Sequence, residues 1–160
     1  MREVIGFHNP DEEYGFLSNW YLSDFMVDGI FFSSMEQYMM YKKAGLFGDF
    51  ETAREILSTK EVGKIKALGR QVKNYDDIIW NGRRQMIIYK GLLEKFYQNQ
   101  ELKERLLRTG DAILAECAVQ DKIWGIGLSM KDERRFTISK WRGQNLLGFA
   151  LMEVREKLRI

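Results

Sequence analysis

Apolar positions along the 160-residue chain change period several times, and each change marks a short element. Residues 4–7 read as a short strand, closed by the turn-prone Asn9-Pro10-Asp11. Residues 25–32 carry apolar side chains on either side of Asp28-Gly29, a two-residue hairpin signal. Helical spacing then takes over. A helix opens at 33–43, where Ser33 with Glu36, or Ser34 with Gln37, has the spacing of a capping box. A short helix over 49–57 takes Asp49 as its N-cap. Ser58 with Glu61 repeats the capping-box spacing and starts a helix through about residue 68, which Gly69 ends. The longest helical pattern covers 76–98, with Ile79, Met86, Leu93 and Phe96 near one stripe and Trp80, Ile87 and Leu92 widening it. Asn99 caps a helix over 100–107, and 112–119 mixes strand and helix signals. The last helix, 144–159, carries the stripe Leu147, Ala150, Leu151, Val154 and Leu158. The expected fold is α+β: a mainly α-helical single domain over 1–160, with a small N-terminal β-hairpin or sheet.

Composition narrows the class. Hydrophobic residues make up 45% and charged residues 30%, which is globular rather than disordered. One proline and no low-complexity run leave no linker to propose. The start, Met1-Arg2-Glu3-Val4, lacks the apolar core of a signal peptide, and no stretch approaches the roughly 18–20 apolar residues of a membrane span. The expectation is a soluble, cytoplasmic protein. Cys117 and His8 are the only residues of their kinds, so an intrachain disulfide and a Cys/His zinc site both fall away. Proton transfers in an enzyme of this composition go to carboxylates, Lys, Tyr or water. A net charge of +2 is too small to announce a nucleic-acid footprint.

Six places along the chain hold candidate chemistry. Glu36 and Lys43 lie seven residues apart, on one helix face and about 10 Å apart along the axis. They flank Met39 and Met40, either as the two ends of a pocket for an anionic substrate or as a cap and a solvated cation. The aromatic run at 14–21 is either a loop packed on the core or a pocket wall in which Asn19 offers a donor and an acceptor. Arg70 is a phosphate contact or a surface arginine, and Trp80 is core or a stacking platform for a base. Asp121 precedes Trp124-Gly125-Ile126-Gly127, so a flexible turn puts a carboxylate beside a flat aromatic wall; a turn with a core Trp is the plainer reading. Asn145 falls in the first turn of the last helix, where free N–H groups and the helix dipole favour anions.

In order along the chain, Phe16-Leu17-Ser18-Asn19-Trp20, Ser34-x-Glu36-Gln37-Tyr38 with Lys43, Gly69-Arg70, Trp80, Lys95-Phe96, Leu106-Leu107-x-Thr109, Glu116, Asp121-x-x-Trp124-Gly125-x-Gly127, Gly143-Gln144-Asn145-Leu146-Leu147-Gly148 and Leu151-Met152-x-x-Arg155 resemble the NADAR family. The resemblance covers nearly the whole chain. Gln37 departs from it, since a bacterial member has His after the Glu.

What the resemblance implies is an N-glycosidase acting on early phosphorylated ribosylamino-pyrimidines of riboflavin synthesis. It would release ribose 5-phosphate and the amino-pyrimidine, with no metal or cofactor. Such a reaction asks for a carboxylate at an oxocarbenium-like carbon, a proton for the leaving nitrogen, an aromatic shelf and a phosphate contact. Glu36 or Asp121 would be the catalytic carboxylate, with Glu36 preferred. Lys43 would hold an anionic group or tune Glu36. Trp80 and Trp124 would frame the base, with Gly125 in the turn beside it. Asn19 and Asn145 would orient ribose hydroxyls or the base edge, and Arg70 would meet the phosphate. The alternatives are removal of ADP-ribose from a nucleic-acid base such as guanine, and a non-catalytic module binding ADP-ribose or NAD. The partners are a small ribosyl phosphate and water, with nucleic acid only under the alternative and no membrane.

Overall fold

The structure is a computed structural model that describes residues 2–160. In chain order the elements are β1 (Val4–Phe7), β2 (Phe25–Val27), β3 (Ile30–Phe32), α1 (Met35–Leu46), α2 (Phe50–Leu57), α3 (Val62–Arg70), α4 (Asp77–Tyr97), α5 (Gln100–Arg108), β4 (Ile113–Glu116) and α6 (Leu146–Leu158). They group into two compact units, Leu22–Gln98 and Asn99–Ile160 together with the chain up to Tyr21. The α+β class and the predominance of helix match the expectation.

In the 22–98 unit, β2 and β3 form the hairpin around Asp28-Gly29, both at positive φ as its turn requires. It packs on α4, and α1 lies among α2, α3 and α4. Ser34 is the N-cap of α1, accepting from the Gln37 N–H at 3.1 Å. The Gln37 side chain turns back to accept from the Ser33 N–H at 2.7 Å and donates to the carbonyls of Ile56 and Thr59 at 3.1 and 2.9 Å. Of the two capping-box alternatives, the Ser34–Gln37 pair is therefore the one formed. Asp49 caps α2 as expected, accepting from the Thr52 N–H.

Three expectations for this unit are corrected. Ser58 ends α2 rather than opening α3, its hydroxyl donating to the Glu55 carbonyl, while the Glu61 N–H donates to the Thr59 hydroxyl. Gly69 lies inside α3 instead of ending it; a Cβ there would come within 2.0 Å of Met40 Sδ, so the glycine is a close-approach site between α1 and α3. The face of α4 is also rotated from the stripe read off the sequence. Trp80, Arg84, Ile88, Gly91, Leu92, Lys95 and Phe96 are buried, while Ile79 and Met86 are exposed. Two cations lie on the inner face, and a polarity pattern assigns cations outward.

The other unit pairs β1 with β4 in parallel, Val4 opposite Ile113 through Phe7 opposite Glu116. Residues 112–119, open in the sequence, thus contain a strand. α6 packs across β4 with the predicted stripe buried, and α5 packs on α6. Gly148 permits the close approach, since a Cβ there would meet the Leu114 carbonyl at 2.0 Å. From β4 onward, Ala115 in the strand and Cys117, Ile126 and Leu128 after it form a buried cluster against Val4, Met130 and Trp141. Among the described residues, no helix is long and apolar enough to cross a membrane.

Candidate active site

In the 22–98 unit the site grows from α1. Ser34 starts the helix so that Glu36 falls in its first turn, buried at 6% exposure, and Lys43 in its last. Lys43 Nζ donates to the Gly69 carbonyl at 2.8 Å and lies 4.7 Å from the Tyr75 ring centroid and 6.0 Å from that of Trp80. An ammonium over two aromatic faces gains from their quadrupoles where water is thin. Burial nonetheless lowers the Lys43 pKa from the ordinary lysine value, with Glu36 and Asp77 pulling it back up and Arg70 adding to the decrease. Glu36, Lys43, Arg70 and Trp80, four residues chosen from the sequence, therefore share one electrostatic neighbourhood.

Two members of that neighbourhood were missed. Tyr75 donates its hydroxyl to Asp77 Oδ1 at 2.7 Å and packs edge-on against Phe47; burial and then that hydrogen bond push its pKa to about 12. Arg84, one turn after Trp80 on the buried face of α4, donates to Asn81 Oδ1 at 2.7 Å. Their positions flanking Trp80 are the only sequence signal they carry.

In the other unit the Asp121–Gly125 turn is tightly constructed. Asp121 Oδ1 accepts from the N–H groups of Ile123 and Trp124 at 3.0 and 2.9 Å, which holds Trp124 half-buried beside the carboxylate. Gly125 lies where a Cβ would come within 2.8 Å of the Glu116 carbonyl and 2.9 Å of the Asp121 carbonyl. Asn145 is wholly buried in the left-handed conformation, φ 53°. Its Oδ1 accepts from the Glu116 N–H at 3.0 Å and its Nδ2 donates to the Leu114 carbonyl at 2.9 Å. The amide is committed to β4, so Asn145 shapes the site through the strand.

The anion site expected at this helix start is not available. The N–H groups of Gln144, Asn145, Leu146 and Leu147 donate to the carbonyls of Lys122, Gly125, Ile123 and Trp124. The turn itself has used the donors an anion would need.

Two buried oxygens in this unit have no hydrogen-bond partner among the described residues, Asn19 Oδ1 and Glu116 Oε2. An orphan buried acceptor is expensive to retain, and a ligand hydroxyl or N–H is one way to satisfy it. Glu116, quoted from the sequence only as part of the resemblance, has its pKa pushed to about 8, first by burial and then by the charge of Asp121.

A family model described as the NADAR domain matches residues 6–159. The chain belongs to the NADAR family. It is 44% identical over 124 residues to an N-glycosidase of Acanthamoeba polyphaga mimivirus, covering 78% of this chain and 73% of that one. The N-glycosidase YbiA of Escherichia coli strain K12 is 30% identical over 157 residues, covering 98% of this chain and 89% of YbiA. A riboflavin biosynthesis protein of Vibrio vulnificus strain YJ016 is 32% identical over 158 residues; this chain spans 39% of its length. The NMR structure of E. coli YbiA superposes with a TM-score of 0.82 at 29% identity, covering 99% of this chain and 86% of that one. The NADAR fold thus extends across both units described above.

Proposed function

We propose that this NADAR protein is an N-glycosidase that hydrolyses the N-ribosyl bond of phosphorylated ribosylamino-pyrimidines, the intermediates of riboflavin synthesis. The products are ribose 5-phosphate and the amino-pyrimidine. The observation that carries the reading is the cluster around Lys43: a buried carboxylate, an ammonium, a guanidinium and an aromatic wall within one electrostatic neighbourhood. Relatives named N-glycosidases support the reaction class, and the relative named for riboflavin biosynthesis supports the substrate.

Glu36 is the carboxylate that stabilises the positive charge developing at the anomeric carbon, with Asp121 as the other candidate. Lys43 and Arg70 hold the anionic end of the substrate, and Trp80 gives the flat base an aromatic wall. Gly125 lets the Asp121 turn approach the chain closely. Asn19 Oδ1 accepts from a ribose hydroxyl, and Asn145 holds β4 in register beneath the turn.

The test is release of ribose 5-phosphate from a phosphoribosylamino-pyrimidine by purified protein, run beside an ADP-ribosylated guanine substrate. Release from the first alone supports the proposal, and release from the second alone replaces the substrate. Glu36→Gln removes the charge with little change of shape and is expected to abolish base release; near-normal turnover would transfer the role to Asp121.

A further inference from the structure

Proton supply to the leaving nitrogen is a part of this chemistry that an ionised carboxylate such as Asp121 does not cover. A carboxylate that stabilises an oxocarbenium ion must be ionised, whereas the donor must arrive protonated. We propose that Glu116 is the proton donor to the departing nitrogen, an inference that rests on the N-glycosidase reading.

Geometry favours Glu116 on several counts. It ends β4, where its N–H donates to Asn145 Oδ1 at 3.0 Å and its carbonyl accepts from the Ile126 N–H at 2.8 Å. Both backbone groups are thereby pinned, and Gly125 is packed against that same carbonyl. The carboxyl lies close enough to the Asp121 turn for the charge of Asp121 to act on it. Its Oε2 is shut off from solvent with no hydrogen-bond partner among the described residues. A structural glutamate normally brings a cation or a donor with it. Here the elements packed on β4 present Phe7 from β1 and the Asn145 amide from the start of α6, and the charged group that acts on the carboxyl is Asp121, of like sign. The next residue, Cys117, reports the same surroundings, its thiol pushed to about 11 by burial and then by Glu116. A carboxyl with a pKa near 8 holds its proton at neutral pH, as an acid for an amine leaving group must.

The step balances as follows. The C1′–N bond breaks with its electron pair going to nitrogen, which takes the Glu116 proton. Water oxygen bonds to C1′, and the water's proton passes to the Asp121 carboxylate and, through solvent, restores Glu116. One water is consumed and no redox partner is needed.

Glu116→Gln keeps the shape and neutrality of the protonated side chain but has no acidic proton, so it separates catalysis from packing. Two substrates are compared, a phosphoribosylamino-pyrimidine and para-nitrophenyl ribose 5-phosphate, whose phenolate leaves without protonation. The expected result is a loss of about a hundredfold or more on the first and a change of only a few-fold on the second. The wild-type rate on the first substrate should fall as pH rises through about 8, with that limb missing in the variant. Equal rates for variant and wild type, or equal losses on both substrates, would overturn the donor role while leaving the N-glycosidase reading intact. Carbon NMR of labelled Glu116 adds a readout independent of turnover, and an ionised carboxyl at neutral pH would overturn the proposal by itself. A wild-type protein that turns over neither substrate overturns the N-glycosidase reading, and the donor role with it.

Discussion

Lys43 Nζ donates to the backbone carbonyl of Gly69 at 2.8 Å, tying the last turn of α1 to a helix more than twenty residues further along the chain. Met in place of Lys43 would lose that hydrogen bond, worth about 2 kcal/mol, and the attraction of the Tyr75 and Trp80 rings, but would also remove the cost of burying a charge. The two effects oppose, so Lys43→Met is expected to change thermal stability little while lowering ribose 5-phosphate release by about a hundredfold. Burial lowers the Lys43 pKa, so an activity that needs the ammonium should decline at a pH below the ordinary lysine value. A pH–rate profile of the wild type, and the absence of that limb in the variant, checks the point.

Asn145 carries a different kind of weight. Ala at this position would leave the Glu116 N–H and the Leu114 carbonyl without their partners and would keep the left-handed backbone without the short polar side chain that lets asparagine tolerate it. Asn145→Ala should destabilise the fold by about 2–4 kcal/mol in urea unfolding. Asn145→Asp keeps the acceptor but loses the donor, and it places a negative charge beside Glu116. It is expected to be no better than Ala at neutral pH and to improve on acidification.

These two residues show what the chain reveals before it folds. The Glu36–Lys43 spacing was legible because a helix turns a seven-residue interval into one face, and Asp49, Asp121 and the Asp28-Gly29 turn were legible because their chemistry is local. The inner face of α4 was not, because Arg84 and Lys95 occupy it and a polarity pattern reads both as solvated. β4 was ambiguous because a four-residue strand buried against both β1 and α6 shows no alternation, and its partner lies more than a hundred residues away. The α6 start looked open to anions because the carbonyls that use its N–H groups come from residues 122–125, which no spacing rule connects to it.

Gln37 uses both ends of its amide. Oε1 accepts from the Ser33 N–H and hydroxyl, while Nε2 donates to the Ile56 and Thr59 carbonyls, so one side chain joins the start of α1 to the end of α2. Gln37→Ala is expected to cost about 2–4 kcal/mol. Gln37→Glu should be worse than its near-identical shape suggests, because a carboxylate cannot donate to the two carbonyls and adds a charge next to Glu36. His offers one donor and one acceptor and should fall between wild type and Ala. Thermal unfolding of the three variants gives the order directly.

Two buried titratable groups make stability depend on pH in opposite directions. Glu116 has a folded pKa of about 8 against an ordinary 4.5, so the native state keeps a proton that the unfolded chain gives up. Its favourable contribution is complete below 4.5 and disappears as pH rises to 8, a swing of about 3–5 kcal/mol. Lys95, fully buried on α4, is lowered by burial from 10.5 to about 7. Between those values the unfolded chain binds the extra proton, so this term raises stability with increasing pH by an amount of the same order, about 3–5 kcal/mol. The windows meet between 7 and 8, and single variants separate them. Relative to wild type, Glu116→Gln should gain stability from pH 4.5 to 8 and then level off. Relative to wild type, Lys95→Met should lose its advantage from pH 7 to 10.5. Urea unfolding of both variants across this range checks each sign independently, because the two residues lie on different elements, β4 and α4.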